Sequence, residues 1–247
     1  MTARPDETRL LAALEATWPP ASVDESAAPR WRLRDGAGAG KRVDSARALD
    51  PAAEIAPAAA AMRAAGRRPL VQVSSDQSAL DATLEAEGWE VVDPTLLMVA
   101  PVAALAAHEA PKGVKSVLVR TRLVLLDEIW EAGGIGPARR ALMDRCALPK
   151  ATIMTRTDDV VGGLSFVAVD GDVAMIHAVE VRPEVRRRGV ARAGLAAAAR
   201  FAAEAGADWL ALAVTEANAG ARALYDGAGM ETVGRYHYRQ APETGRA

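Results

Sequence analysis

Cysteine is almost missing from this sequence. One thiol, Cys146, in 247 residues rules out an intramolecular disulfide framework and fits a reducing compartment. Histidine is nearly as scarce, and His108, His177 and His237 do not fall with Cys146 at metal-ligand spacings, so no metal site is expected. Aromatic residues make up 4%, which leaves no aromatic-rich surface for stacking unpaired bases. Charge of one sign is also lacking: 30 Lys and Arg stand against 32 Asp and Glu, a net −2, so no overall basic field draws nucleic acid. Nowhere does an apolar run approach the ~20 residues of a membrane span. Met1 to Leu14 is charged and amphipathic and carries no signal-peptide apolar region, so the expectation is a cytoplasmic protein. Half the residues are apolar, and the length suits one large or two small domains with a real core.

The most informative stretch runs from Ala178 to Gly194. Val179 and Val181 alternate as in a strand, Pro183 breaks it, Arg186, Arg187, Arg188 and Gly189 form a turn, and an alanine-rich helix follows to about Ala205. A strand feeding a glycine turn that opens a helix is an anion-binding device. The first helical N–H groups have no internal partners, and the helix dipole is positive there. Asp35 to Arg42, with glycines at 36, 38 and 40, invites comparison with a phosphate-binding P-loop. It fails: Asp35 stands where the first Gly is needed and Arg42 where Ser or Thr would hold magnesium, so it reads as a flexible hairpin turn.

The rest reads as alternating helices and strands. Helices are predicted over Asp6–Trp18, Pro51–Ala65 (with Pro57 able to split it), Ser78–Glu87, Thr121–Ala132, Pro137–Cys146 and Ala219–Ala228. Strands are predicted from Trp31, over Leu70–Val73, Trp89–Val99 (interrupted at Pro94) and Val117–Val119, then over Ala151–Arg156, Val160–Val169 and Val173–Val181, and finally over Trp209–Val214 and Met230–Arg239. Asp158-Asp159 and Asp170-Gly171 separate an antiparallel meander that delivers the chain to the arginine-glycine loop. Residues 21–30 read as a loop. An offset of 141 sets Val73 on Val214, Gln77 on Asn218, Leu80 on Ala221, Gly88 on Gly229 and Glu90 on Glu231, which suggests a repeat. Its first copy has no arginine-glycine loop, and Leu84 stands where the second has Tyr225.

Two motifs carry a family resemblance. Val179, Val181 and Pro183 followed by R-x-x-G-x-A at Arg186, Gly189 and Ala191 resemble the pyrophosphate loop of the GNAT superfamily of acyl-CoA-dependent N-acyltransferases. Asn218, Ala221, Leu224, Tyr225 and Gly229 resemble that family's N-x-x-A-x-x-L-Y-x-x-x-G segment, with Met230 in place of the usual Phe. The resemblance covers about 121–239. It implies an α/β (α+β) fold, a mixed and mostly antiparallel sheet flanked by helices. It also implies two GNAT-like halves, a degenerate 1–103 and a catalytic 104–247 that could pack as an internal pseudo-dimer.

The resemblance further implies transfer of an acetyl group from acetyl-CoA to a primary amine by direct attack through a tetrahedral intermediate, without a metal. The acceptor is then a small molecule or a protein or peptide amine. Main-chain groups of Val179 and Val181 would pair with the pantetheine arm, and donors aimed at the oxyanion are worth about 3 kcal/mol each. Arg186, Arg187, Arg188, Gly189, Val190, Ala191 and Arg192 would hold the pyrophosphate, Asn218 would fix the arm, and Tyr225 would protonate the departing thiolate. His177, Glu180 and, more weakly, Glu216 are candidate bases. His177 and Glu180 point to opposite faces by alternation unless a bulge intervenes, so one of them at most is expected in the site. A buried histidine and a surface glutamate are the plain alternatives. Trp130 and Ile135 are either acceptor contacts or packing residues. Two rival readings stay open: a catalytically silent acyl-CoA sensor, and a nucleic-acid-binding module built on Arg182 to Arg192.

Overall fold

The structure is a computed structural model and describes residues 1–121, 123–158 and 160–243. Arg122, inside the predicted Thr121–Ala132 helix, and Asp159, in the Asp158-Asp159 break, lie outside the described residues. In chain order the elements are α1 (Glu7–Thr17), β1 (Ser22–Asp24), β2 (Trp31–Asp35), α2 (Lys41–Asp44), β3 (Ala46–Ala48), α3 (Ile55–Ala64), β4 (Leu70–Ser74), α4 (Ser78–Ala86), β5 (Glu90–Pro101) and α5 (Val102–Ala106). There follow β6 (Val114–Val119), α6 (Val124–Ala132), α7 (Pro137–Arg145), β7 (Lys150–Thr157), β8 (Val160–Asp170), β9 (Val173–Val181), α8 (Val190–Glu204), β10 (Trp209–Thr215), α9 (Ala219–Gly227) and β11 (Glu231–Gln240).

Local chemistry accounts for the helix ends. Asp6 accepts from Arg9 N–H at the start of α1, and Asn218 accepts from Ala221 N–H at the start of α9. Pro57 does not split α3, because the helix begins at Ile55 and Pro57 falls in its first turn, where an N–H is not needed. Pro94 leaves β5 continuous, since a bulge at residues 93–94, opposite His237 and between the Tyr236↔Thr95 and Tyr238↔Val92 pairs, absorbs it. The short β1, β3, α2 and α5 carry too little periodicity to be read from sequence, and β1 lies inside the segment read as a loop.

Among the described residues all eleven strands join one sheet in the order β1-β2-β3-β4-β11-β5-β10-β9-β8-β7-β6. The repeat is visible in its register. Tyr236↔Ser74, Tyr238↔Gln72 and Gln240↔Leu70 link β11 to β4; shifted by 141 they become Thr95↔Thr215, Leu97↔Ala213 and Val99↔Ala211, which link β5 to β10. Thr95, whose image is Tyr236, pairs with Tyr236 itself, so a pseudo-two-fold axis passes through that pair. Each repeat therefore hands its last strand to the other: β5 pairs with β10 and β11, and not with its own β4. The expected division at 103/104 falls inside α5, and the halves share one sheet.

One face of the sheet carries α1, α2, α6 and α7, and the other α3, α4, α5, α8 and α9. On the second face α8 buries Ala193, Leu195, Ala196 to Ala199 and Ala202 against β7, β8 and β9. Small side chains let its axis approach closely. At Gly163 of β8 an added Cβ would sit 2.7 Å from Val190 at the helix start.

Candidate active site

β9 and β10 run parallel and pair only at Val173, Ala174 and Met175 with Trp209, Leu210 and Ala211. Beyond that they splay, and a cavity of about 1260 Å³ opens through the sheet. On the α8–α9 side it is lined by Arg186, Arg187, Gly189 to Arg192, Asn218 and Tyr225; on the opposite side by Trp18, Arg42, Ile135, His177, Tyr236 and Tyr238. Arg182 N–H bonds Gly162 O at 2.9 Å on the β8 side, so by alternation the main-chain groups of Val179 and Val181 turn to the gap. Arg186 Nε reaches across to Val181 O at 3.2 Å.

The arginine-glycine loop has a conformation that its glycine makes possible. Gly189 caps α8 at φ +81, and a Cβ there would meet Pro111 at 2.6 Å. The first helical bond runs from Ala193 N–H to Gly189 O (2.9 Å), which leaves the Val190, Ala191 and Arg192 N–H groups at the helix end, beside the cavity. Those donors, the positive helix end and the exposed Arg186, Arg187 and Arg192 make a fitting cradle for a pyrophosphate. Arg188 is a correction. It pairs with Asp158 at 2.6 Å and does not line the cavity. Asn218 is exposed at the cavity edge with its side-chain oxygen engaged in the cap of α9.

Alternation misplaces His177 and Glu180. Phe166 opposes His177 and Leu164 opposes Glu180, so Ser165 faces two residues, Ala178 and Val179; Ala178 sits at φ +49. This bulge restores phase and turns both side chains to the same face, where both line the cavity. Trp130 is 4% exposed and outside the lining; its Nε1–H donates to Ala178 O (3.0 Å), which fastens the bulge. Ile135 does line the cavity. Glu216 does not; its main chain bonds Pro94 and Arg222.

The electrostatics separate the two candidate bases. His177 is 3% exposed and stacks on Trp18 at a 4.8 Å centroid separation. Thr17 Oγ1–H is directed to Ala13 O (2.6 Å), so this hydroxyl accepts from His177 Nε2–H (2.9 Å), while Nδ1 is buried without a partner. Burial, with the positive Arg42 nearby, pushes the imidazole well below its ordinary value, which makes it a poor base. Glu180 is half-buried, with its carboxyl over Gly133 in the α6–α7 loop. Burial raises its pKa more than Arg186 and the Val181 N–H lower it, which brings it closer to a useful base. Burial also pushes the Tyr225 phenol up to about 12, so it stays protonated and able to donate.

Residues 126–230 match the family model described as "Acetyltransferase (GNAT) family". Those residues are a GNAT domain. No curated protein matches the sequence. Over the whole chain, a GCN5-related N-acetyltransferase from Kribbella flavida is similar at TM-score 0.74 and 19% identity, covering 95% of each chain. A conserved protein of unknown function from Staphylococcus epidermidis reaches TM-score 0.67 at 11% identity, with 91% and 94% covered. A tandem GNAT protein from the clavulanic acid biosynthesis pathway reaches 0.62 at 14%, covering 99% of this chain and 90% of its own. At such identities these likenesses speak for the fold, and the GNAT fold spans both repeats. Arg42, Tyr236, Tyr238 and Trp18 escaped sequence reading because no motif marks them, and they meet only across the repeat junction. Among the described residues no group of three or more His, Cys, Asp or Glu is placed to hold a metal, and no helix is long and apolar enough to cross a membrane.

Proposed function

We propose that the chain transfers an acetyl group from acetyl-CoA to a primary amine, with one active site per chain. The observation that carries this reading is the β9–β10 splay, which opens at one end on the free N–H groups of α8 and passes the protonated phenol of Tyr225. Val190, Ala191 and Arg192 N–H groups, helped by Arg186 and Arg187, bind the pyrophosphate. Val179 and Val181 present main-chain groups to the pantetheine arm, in the way an added strand uses a sheet edge. Bound acetyl-CoA supplies a thioester carbonyl open to an amine and a thiolate leaving group.

Glu180 takes a proton from the incoming ammonium, because an alkylammonium of pKa ~10.4 is almost wholly charged near neutrality. Tyr225 Oη donates the proton that the thiolate needs and is reprotonated by the proton the nitrogen sheds as the amide forms, while Glu180 passes its proton to solvent. His177, held neutral by burial, keeps its place in the wall and contributes shape. A nucleic-acid surface is the weaker reading: Arg182 faces Glu184 at 3.6 Å and Arg188 is paired with Asp158, which takes two of the arginines such a surface would use. The test is calorimetric titration with acetyl-CoA followed by a thiol-release assay across amine acceptors. Binding with amine-dependent release of thiol is the expected result. Binding without release from any amine would instead favour a sensor, and no binding would end both readings.

A further inference from the structure

The chamber on the α1 side of the sheet lies over the repeat junction, and its charges are arranged unequally. Lys41 is neutralised by Asp93 at 2.7 Å. Its neighbour Arg42, on the same turn of α2, is partly buried in the cavity wall and makes no ion pair with a carboxylate among the described residues. Tyr236 and Tyr238 line the same wall, and their phenols are close enough to act on its guanidinium. Burial works against the charge, and burial likewise pushes Tyr238 well above its ordinary value, so this phenol stays protonated beside the guanidinium. Arg42 is thus a cation beside two tyrosine side chains, with donors and no carboxylate partner among the described residues. Two carboxylates line the same cavity: Asp93, which Lys41 already holds, and Glu180, on β9 at the edge of the splay.

We infer that Arg42, framed by Tyr236 and Tyr238, is a carboxylate-binding site, and that the acceptor is an amine that also carries a carboxylate, an amino-acid-like zwitterion. The argument is one of complementarity. A half-buried guanidinium without a counter-ion is unsatisfied, and a bidentate carboxylate is the partner that its planar fork fits best. A zwitterion satisfies both ends of the chamber at once: its carboxylate answers Arg42, and its ammonium lies toward Glu180. The inference deepens the acetyl-transfer reading on which it rests. It also gives the first repeat a task, because Arg42 comes from the glycine-rich turn of that half.

The test separates the two readings. The wild-type chain is titrated with a panel of N-acetyl amino acids, which keep the carboxylate, and with their methyl esters, which lack the charge; acetyl-CoA is titrated in parallel. The expected result is that one or more free acids bind, that the matching ester binds at least about 10-fold more weakly, and that Arg42→Gln loses a similar factor for the acid with acetyl-CoA affinity unchanged. Arg42→Lys, which keeps the charge without the fork, should fall between them. It also serves as the informative variant if circular dichroism finds Arg42→Gln unfolded. Esters binding as well as acids, Arg42→Gln binding the acid like wild type, or no acid binding at all would each overturn the carboxylate site while leaving acetyl-CoA binding intact. Loss of acetyl-CoA binding in the wild type would instead strike the parent reading.

Discussion

The two repeats have the same strand-helix-strand ending and opposite fates. In the second, β9 and β10 part, a 3-10 turn and the loop to Gly189 intervene, and α8 begins with free N–H groups beside an opening. In the first, β3 pairs with β4 at Ala46↔Val71 and Arg47↔Gln72, and the six residues before α3, Leu49 to Glu54, contain no arginine. Arg34 occupies the neighbouring ground, with its guanidinium bonded to Ser45 and to Gln72 Oε1 at 2.6 Å. Leu84, the counterpart of Tyr225, is fully buried in the core. The same scaffold thus makes a site where a loop keeps two strands apart and a packed core where it does not. The first repeat still matters, since its exchanged β5 and its α2 wall the chamber.

Breaking the contrast at its root should have the largest effect. Gly189→Glu puts a side chain at φ +81 against Pro111 and a negative charge at the α8 end, and should cut acetyl-CoA affinity by on the order of 100-fold or more by calorimetry. Retained affinity would contradict the loop assignment. Next comes Tyr225→Phe, which makes the second repeat resemble the first at this position. It should lower kcat by about 100- to 1000-fold with acetyl-CoA affinity little changed, and undiminished turnover would remove Tyr225 as the acid.

Glu180→Gln should cost about 100-fold in kcat/KM near neutral pH. Its pH profile is the sharper reading: only the ionised carboxylate accepts a proton, and burial raises its pKa, so the acidic limb of wild-type activity should lie above the ordinary carboxylate range and vanish in the variant. A limb that survives the substitution would point to another base. The alkaline side should show no loss from Tyr225 until pH approaches about 12. The smallest effect is expected from Leu84→Tyr, which restores the missing tyrosine to the first repeat. Overpacking should cost about 1–3 kcal/mol in denaturant unfolding, while titration still gives one acetyl-CoA per chain. A second equivalent bound would mean that the first repeat has kept a site.

The anion loop from Arg186 to Arg192, the Asn218–Tyr225 spacing and the 141-residue repeat were all legible, because each depends on neighbours along the chain: a glycine that opens a helix, a cap, a helix-strand period. The side on which Glu180 points was not legible, since it rests on the bulge at Ala178, which Trp130 from α6 holds in place. Nor was the diversion of Arg188, which depends on Asp158 thirty residues away. By itself, then, the sequence determined the longer elements, the repeat and the glycine turn that opens α8, all of them products of local backbone and helix-end chemistry. Tertiary structure alone decided that the repeats exchange strands, that His177 and Glu180 turn to the same face and both line the cavity, and that Arg42 lines the chamber with no ion pair to a carboxylate among the described residues. Those outcomes turn on burial and on contacts between distant segments, which no local pattern of residues encodes.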